Sequence, residues 1–302
     1  MIAARFLRGA ALAVLLLAAV PAGAAQPSFP TPEAAVEALR GALATGKFEA
    51  LLALLGPEYD AELVGGDPAQ RRVELRRLAA AAERGLALRP AADGGMIVLV
   101  GPRAWPFPVP LVEEAGGWRF DTERGLEEIV DRRIGRNELA AMASLFAYWD
   151  AQRTYAAFDR DGDEVLEYAQ RIRSTPGKKD GLFWEIQPGE EPSPLGPFTA
   201  EAGPVAAEQR AGEPFFGYRF KILTRQGPHA PGGAYDYVIN GNMIAGYAMI
   251  AWPAQYGNSG IMTFQISHQG RIFEKDLGPE TERLAAAIEA YDPDPSWSRV
   301  AE

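Results

Sequence analysis

The chain has 302 residues, 47% of them hydrophobic, with no cysteine and with 30 basic against 40 acidic side chains, a formal charge of −10. Without cysteine there is no disulfide, thiolate metal site or cysteine nucleophile, and so acidic a chain lacks the basic face that phosphate neutralisation requires, which argues against nucleic acid as a partner. The length suits two modest cores better than one.

Residues 1–25 place Arg5 and Arg8 ahead of an apolar run over 10–20, followed by Pro21 and the small residues Ala22, Gly23 and Ala24. That is the three-part build of a secretory signal peptide, with a retained anchor helix as the alternative. Removing it takes away two arginines and no acid, leaving 30 − 2 = 28 basic against 40 acidic residues and a charge of −12. No later run reaches the ~20 apolar residues of a membrane span. The mature chain is therefore expected to be exported, periplasmic or extracellular in a Gram-negative-type envelope, with no integral span.

Thr31-Pro32 reads as a helix start, threonine as N-cap and proline at the first helical position. Val36, Leu39 and Leu43 then recur at helical spacing up to Gly46. A second helix is expected over 48–55, stopped by Gly56-Pro57, and a third over 69–88. After Asp93-Gly94-Gly95 the pattern changes to strands at 96–100, 105–112 (interrupted by prolines) and 118–120. Helices followed by a small antiparallel sheet predict an α+β domain over 27–133.

A long amphipathic helix is expected from Asn137, with Leu139, Met142, Phe146 and Trp149 forming its apolar face at i, i+3, i+7 and i+10. Core packing explains that stripe better than a cofactor site. Between residues 174 and 214 stand seven prolines and six glycines, a density that predicts an irregular connector. Leu182, Phe183, Trp184 and Phe198 are expected to pack it back onto a domain. Strands follow at 216–223, 235–239, 244–252, 261–267 and 271–276. In the fourth, Met262, Phe264 and Ile266 alternate with Thr263, Gln265 and Ser267, the sign of one buried and one wet face. His268-Gln269-Gly270 is the hairpin turn, and a helix over 280–290 precedes the tail. The second domain, 134–278, is thus also α+β: long helix, connector, antiparallel meander, with 279–302 as terminal helix and tail.

The runs Ile134-Gly-Arg-Asn-Glu-Leu139, Asp159-Arg-Asp-Gly-Asp163 with Val165-Leu-Glu-Tyr-Ala169, Ser174-Thr-Pro-Gly-Lys178, Gln226-Gly-Pro-His-Ala-Pro-Gly-Gly233 and Ala251-Trp-Pro-Ala-Gln-Tyr-Gly257 together resemble a bacterial family of unknown function, DUF2950, over most of the mature chain. The resemblance implies exported proteins and carries over no catalytic residue. In that family a glycine commonly follows the third aspartate; here it is Glu164. The C-terminal half also resembles the globular part of type IV pilins and pseudopilins, which likewise follow a helix with a variable connector and an antiparallel sheet. It departs from them in starting its helix with polar Arg136-Asn137-Glu138 in place of a membrane-spanning half, so the likeness implies fold and not fibre assembly.

The stretch FDRDGDEVLE, 158–167, matches the start of an EF-hand loop. Asp159, Asp161 and Asp163 stand at loop positions one, three and five, with the Val165 carbonyl at seven and Glu167 at nine. Alternate aspartates on a tight loop converge the hard oxygens that calcium prefers. Position six, usually glycine, is Glu164, and position twelve, usually a bidentate glutamate, is Gln170, so weak structural calcium binding stands against a solvated acidic turn. Of the two histidines, His268 belongs to a hairpin turn and His229 to a glycine-rich loop. A hydrolase would need Ser259 and an acid near His229, though Gly257-Asn-Ser-Gly260 is not nucleophile-elbow spacing. His229, Trp184 and Ser259 are the expected ligand or partner surface, with Trp252 as a further exposed aromatic; the alternative for both tryptophans is a core position, favoured for Trp252 at its strand end. The function expected is a non-enzymatic binding or assembly module whose partner is an unidentified envelope protein or polymer. The alternatives are a hydrolase acting on an envelope polymer and a small-ligand carrier using the N-terminal domain.

Overall fold

The computed structural model describes residues 26–64, 67–114, 116–186, 189–202 and 213–301. The expected signal peptide, and the parts of the connector at 187–188 and 203–212, lie outside the described residues.

The N-terminal half begins as its caps dictate. Helix α1 (Pro32–Ala44) has Thr31 as N-cap, whose Oγ1 accepts from the Ala34 N–H at 3.2 Å. Helix α2 (Phe48–Leu55), a 3-10 turn (Pro57–Tyr59), α3 (Asp60–Val64) and α4 (Pro68–Glu83) follow. The third expected helix ends at Glu83 rather than 88. Gly85 turns the chain, and Leu86 already pairs with Val100. Strands β1 (Leu86–Pro90), β2 (Met96–Val100), β3 (Trp105–Pro106), β4 (Leu111–Glu114) and β5 (Gly117–Phe120) form one antiparallel sheet, ordered β1-β2-β4-β5 with β3 beside β2. Prolines 106, 108 and 110 cannot donate to a ladder and split the expected strand 105–112 in two. Leu39, Leu43, Leu54, Val98, Leu111 and Phe120 form the core between helices and sheet.

Helix α5 runs unbroken from Thr122 to Tyr155. The expected domain boundary at 133–134 therefore falls inside one helix. Ile129 packs on the first core, whereas the second core begins at Ala141. Gly125 is needed near the start: a Cβ there would lie 2.8 Å from Val109 Cγ2.

The buried face of α5 also differs from the expected stripe. Ala141, Leu145, Tyr148, Ala151 and Tyr155 face inward together with polar Asn137, Ser144 and Gln152. Leu139 and Phe146 are 66% and 49% exposed, and Met142 and Trp149 only flank the core. Hydrogen bonding sets this rotation, because Gln152 clamps the Ala169 backbone, giving to its carbonyl and accepting from its N–H at 2.8 Å each. Apolar periodicity is blind to such polar anchors.

After the connector and the short α6 (Gly196–Ala202) come β6 (Tyr218–Leu223), the small pairs β7 (Arg225–Gln226) with β8 (Tyr235–Asp236) and β9 (Val238–Ile239) with β10 (Asn242–Met243), then β11 (Ala248–Pro253), β12 (Met262–Ser267) and β13 (Ile272–Asp276). Helix α7 (Thr281–Ala287) and β14 (Ser298–Arg299) complete the described elements. The main sheet is antiparallel, ordered β14-β13-β12-β11-β6. Helix α5 covers one face, where the Tyr148 hydroxyl donates to the Ala248 carbonyl. The other face, expected to be wet at Thr263, Gln265 and Ser267, is buried. Helix α7 packs on β11, the Trp252 indole donates to Glu282 at 2.9 Å, and Tyr291 lies edge-on against Phe273. Both halves are α+β, as expected. No described helix is long and apolar enough to cross a membrane.

The two halves are joined by buried polar contacts around Asn137, which is 1% exposed. Its amide donates to the Ser259 carbonyl at 2.8 Å and accepts from the Gln70 amide at 2.9 Å. Asp67 caps α4 through the Gln70 N–H and accepts from the Gly217 N–H across the junction. Gly217 has φ +73°, and a Cβ there would press on Ser259 and the Asn137 amide. Arg133 reaches the Glu62 carbonyl and the Asn258 side chain. Asn137→Ala would strand the Ser259 carbonyl and leave the Gln70 amide with Glu74 alone, and urea unfolding should show a loss of about 1–3 kcal/mol. Leu139→Ala, on the exposed face, should change stability by no more than about 0.5 kcal/mol.

Candidate functional site

The aspartate loop closes on itself around one carboxylate. Asp159 Oδ1 accepts from the N–H of Gly162 at 2.7 Å and of Asp161 at 3.3 Å, and Oδ2 from that of Glu164 at 2.9 Å. These donors, Gly162 first, hold the Asp159 carboxyl below its ordinary range. Glu164 adopts φ +67°, so the left-handed turn that glycine makes in EF-hand loops forms here without it. Oxygens of Asp159, Asp161 and Asp163 come within 4.8 Å of one another, all exposed.

The strand pair β9–β10 backs this loop. Asn242 donates to Asp163 at 2.7 Å, the Met243 N–H to Glu167 at 3.2 Å, and the Gln170 amide to the Gly241 carbonyl at 2.7 Å. Gln170 is thus turned away from the loop centre. Burial, and then the neighbouring Asp161, Asp163 and Asp159, push the Glu167 carboxyl up. Among the described residues only Asp159, Asp161 and Asp163 cluster in this way; Glu167 is engaged by the Met243 N–H, and carboxylate oxygens are the donor type that calcium prefers. Arg160 ties the loop to the connector, stacking on Tyr155, Phe158 and Trp184 and pairing with Glu191 at 3.3 Å.

A cavity of about 790 Å³ opens between α5, the edge strand β6 and the connector. Tyr148, Phe183, Phe198, Phe215, Phe220 and Met249 make its walls chiefly apolar, and its charged residues are Arg173, Arg219 and Glu213. Volume and lining are those of a small-molecule or side-chain pocket. Arg173 is exposed and stacks on Phe183 at 5.0 Å, with no carboxylate partner among the described residues. The N-terminal half, suggested as a carrier, holds a groove of about 220 Å³. Nothing in the sequence marked the larger cavity, since its walls come from separate segments spread over residues 144–249.

The expected surface residues separate. Trp184 is 7% exposed, packed under Arg160 and Lys179, and Ser259 is 0% exposed, its hydroxyl bonded to the Gln255 backbone. Both side chains are interior and present no surface: for Ser259 this corrects the expectation, and Trp184 takes its packed alternative. Trp252, at 6%, is likewise core. His229 remains exposed, but its partner is Asp292, whose carboxylate takes the His229 N–H at 2.7 Å and meets Nδ1 at 3.0 Å. Ser259 instead lies at the Asn137 junction, so the serine–histidine arrangement is not assembled. Gln226 shapes the His229 loop by donating to the carbonyls of Pro231 and Gly233.

Asp292 raises the His229 pKa above its ordinary 6.5. The raised folded value means that this pair stabilises the protein below about pH 6.5 and that the contribution is lost as pH rises through the folded pKa. An NMR titration should place the His229 midpoint above 6.5, and Asp292→Asn should bring it down.

Comparison with curated proteins and with solved structures gives no match to the chain. The family model described as "Protein of unknown function (DUF2950)" matches residues 26–300, from just after the signal-like segment to β14. The chain belongs to the DUF2950 family.

Proposed function

We propose that this chain is a non-enzymatic binding or assembly module of the bacterial cell envelope, exported through residues 1–25, whose binding site is the cavity between α5, β6 and the connector. The cavity itself carries the reading: about 790 Å³ of chiefly apolar space at the margin of a packed core is an unusual loss of contacts for a domain to retain. Exposed Arg173 stands beside the apolar walls, a pattern that suits recognition of a partly apolar ligand. The long helix laid on an antiparallel sheet after an irregular connector is the ground for likening this half to pilin globular domains, as a fold used in envelope assemblies. The aspartate loop serves in this reading as a weak structural calcium site that fixes the end of α5 against β9–β10.

Nile red, a neutral apolar dye, should bind the mature chain saturably with a blue-shifted emission. Ser144→Phe, which projects a ring into the cavity from α5, should weaken that binding at least tenfold with the melting temperature little changed. Dye binding that is absent, or equal in the two proteins, would contradict the proposal. For the loop, terbium luminescence sensitised by Tyr168 should saturate and be lost in Asp161→Asn with Asp163→Asn. Calcium at ~100 times a Kd of order 10⁻⁴–10⁻³ M should add about 2.7 kcal/mol of stability.

A further inference from the structure

Strand β6 is the outer strand of the main sheet, paired with β11 on one side only. Antiparallel pairing makes alternate residues of an edge strand point their N–H and C=O outward. Tyr218 does so, exchanging both backbone bonds with Phe215 at 2.8 and 3.1 Å. Thr224 follows in the same phase, its carbonyl taking the Tyr237 N–H at 2.7 Å. Phe220 and Ile222, the two outward residues between these closures, have no backbone partner on that side among the described residues. Among the described residues the edge is thus covered at both ends and open over the five residues 219–223 in the middle.

The open stretch borders the cavity, which Tyr218, Arg219 and Phe220 line. On the α5 face, the Phe220 and Ile222 side chains flank the main core. On the opposite face stand Arg219 and Lys221. Lys221 donates to the Ala286 carbonyl at 2.7 Å and has no carboxylate partner among the described residues, while Arg219 Nε lies 3.5 Å from Glu282 and makes no hydrogen bond. Arg173 waits at the mouth. A sheet edge offers unpaired backbone groups, an adjoining pocket accepts side chains from one face of an added strand, and cations wait beside it.

We infer that β6 receives an extended segment of about five residues from a partner protein, which adds to the sheet as a further strand. Its residues alternate, apolar side chains entering the cavity beside Phe220 and acidic ones facing Arg219 and Lys221. Opposite residues of paired strands share a face, which is what imposes this alternation. A second copy of β6 does not fit, because it would bring Arg219 and Lys221 against their own kind. The inference rests on the cavity being a binding site and goes further by naming what occupies it.

The test uses the mature chain and three synthetic probes: acetyl-Val-Glu-Leu-Glu-Val-amide, its permutation acetyl-Val-Leu-Val-Glu-Glu-amide, and the first peptide N-methylated at leucine. Amide exchange at Phe220 and Ile222, read by NMR, should be fast in the free protein and slow at least tenfold with the alternating peptide alone. Ile222→Pro removes an outward N–H from an edge position and leaves the bonds to β11, so it should abolish peptide binding while Nile red still binds. Amides already protected in the free protein, no slowing, or equal slowing by all three peptides would each overturn the strand. If Nile red binding then persists, the cavity stands and only the strand partner falls.

Discussion

The continuity of α5 through the junction of the two halves is the constraint on which the rest depends. A helix of 34 residues spans roughly 50 Å at 1.5 Å per residue, and it serves two cores in succession. Asn137 stands at the changeover, where its amide satisfies Gln70 from one half and Ser259 from the other. A buried amide left unsatisfied costs free energy that no neighbouring apolar contact returns. The relative placement of the two sheets is therefore held by polar groups with directional bonds. Glu138 adds to this, one carboxylate oxygen accepting from the N–H groups of both Ile261 and Met262 at 3.0 Å.

From that placement the candidate sites follow. With the inner face of α5 set by Asn137, Ser144 and Gln152, Tyr148 and Ser144 come to line the cavity, and Gln152 holds the chain just beyond the aspartate loop at Ala169. The connector then closes over the same helix. Arg173 and Phe183 form a backbone bridge, and Arg160 draws Trp184 down beside Tyr155. The stretch 173–184, irregular in backbone, is fixed largely by these side-chain contacts. Among the described residues, no connector backbone pairs with the middle of β6.

Much of the fold was legible locally. Thr31 as a cap, the stop at Gly56, strand 96–100 and the turn at His268 each depend on a few neighbouring residues, and each appears where the local chemistry puts it. The start of α5 at Thr122 was not legible, because the apolar stripe begins only at Leu139, beyond Gly125, Gly135 and a run of alternating charges. They are tolerated because Gly125 fits against Val109 and salt bridges such as Arg132–Glu128 support the exposed turns. The face of α5 was misread because its largest apolar residues, Leu139 and Phe146, point outward while amides point in. The loop geometry at Glu164 was half legible: the aspartates announced the turn, but not that glutamate would accept its left-handed φ. Ser259 was misplaced, and the surface and core alternatives for Trp184 were left open, because burial depends on partners distant in sequence; the cavity was invisible for the same reason.

The most direct test is hydrogen exchange along α5 in the mature chain, resolved over residues 130–152. A single helix locked at Asn137 predicts that amides at 133–139 exchange nearly as slowly as those of the packed segment 141–152, despite Gly135. Exchange at 133–139 faster by several orders of magnitude, with protection resuming only from about residue 140, would mean two helices joined by a hinge. The two halves would then not be fixed to one another through Asn137.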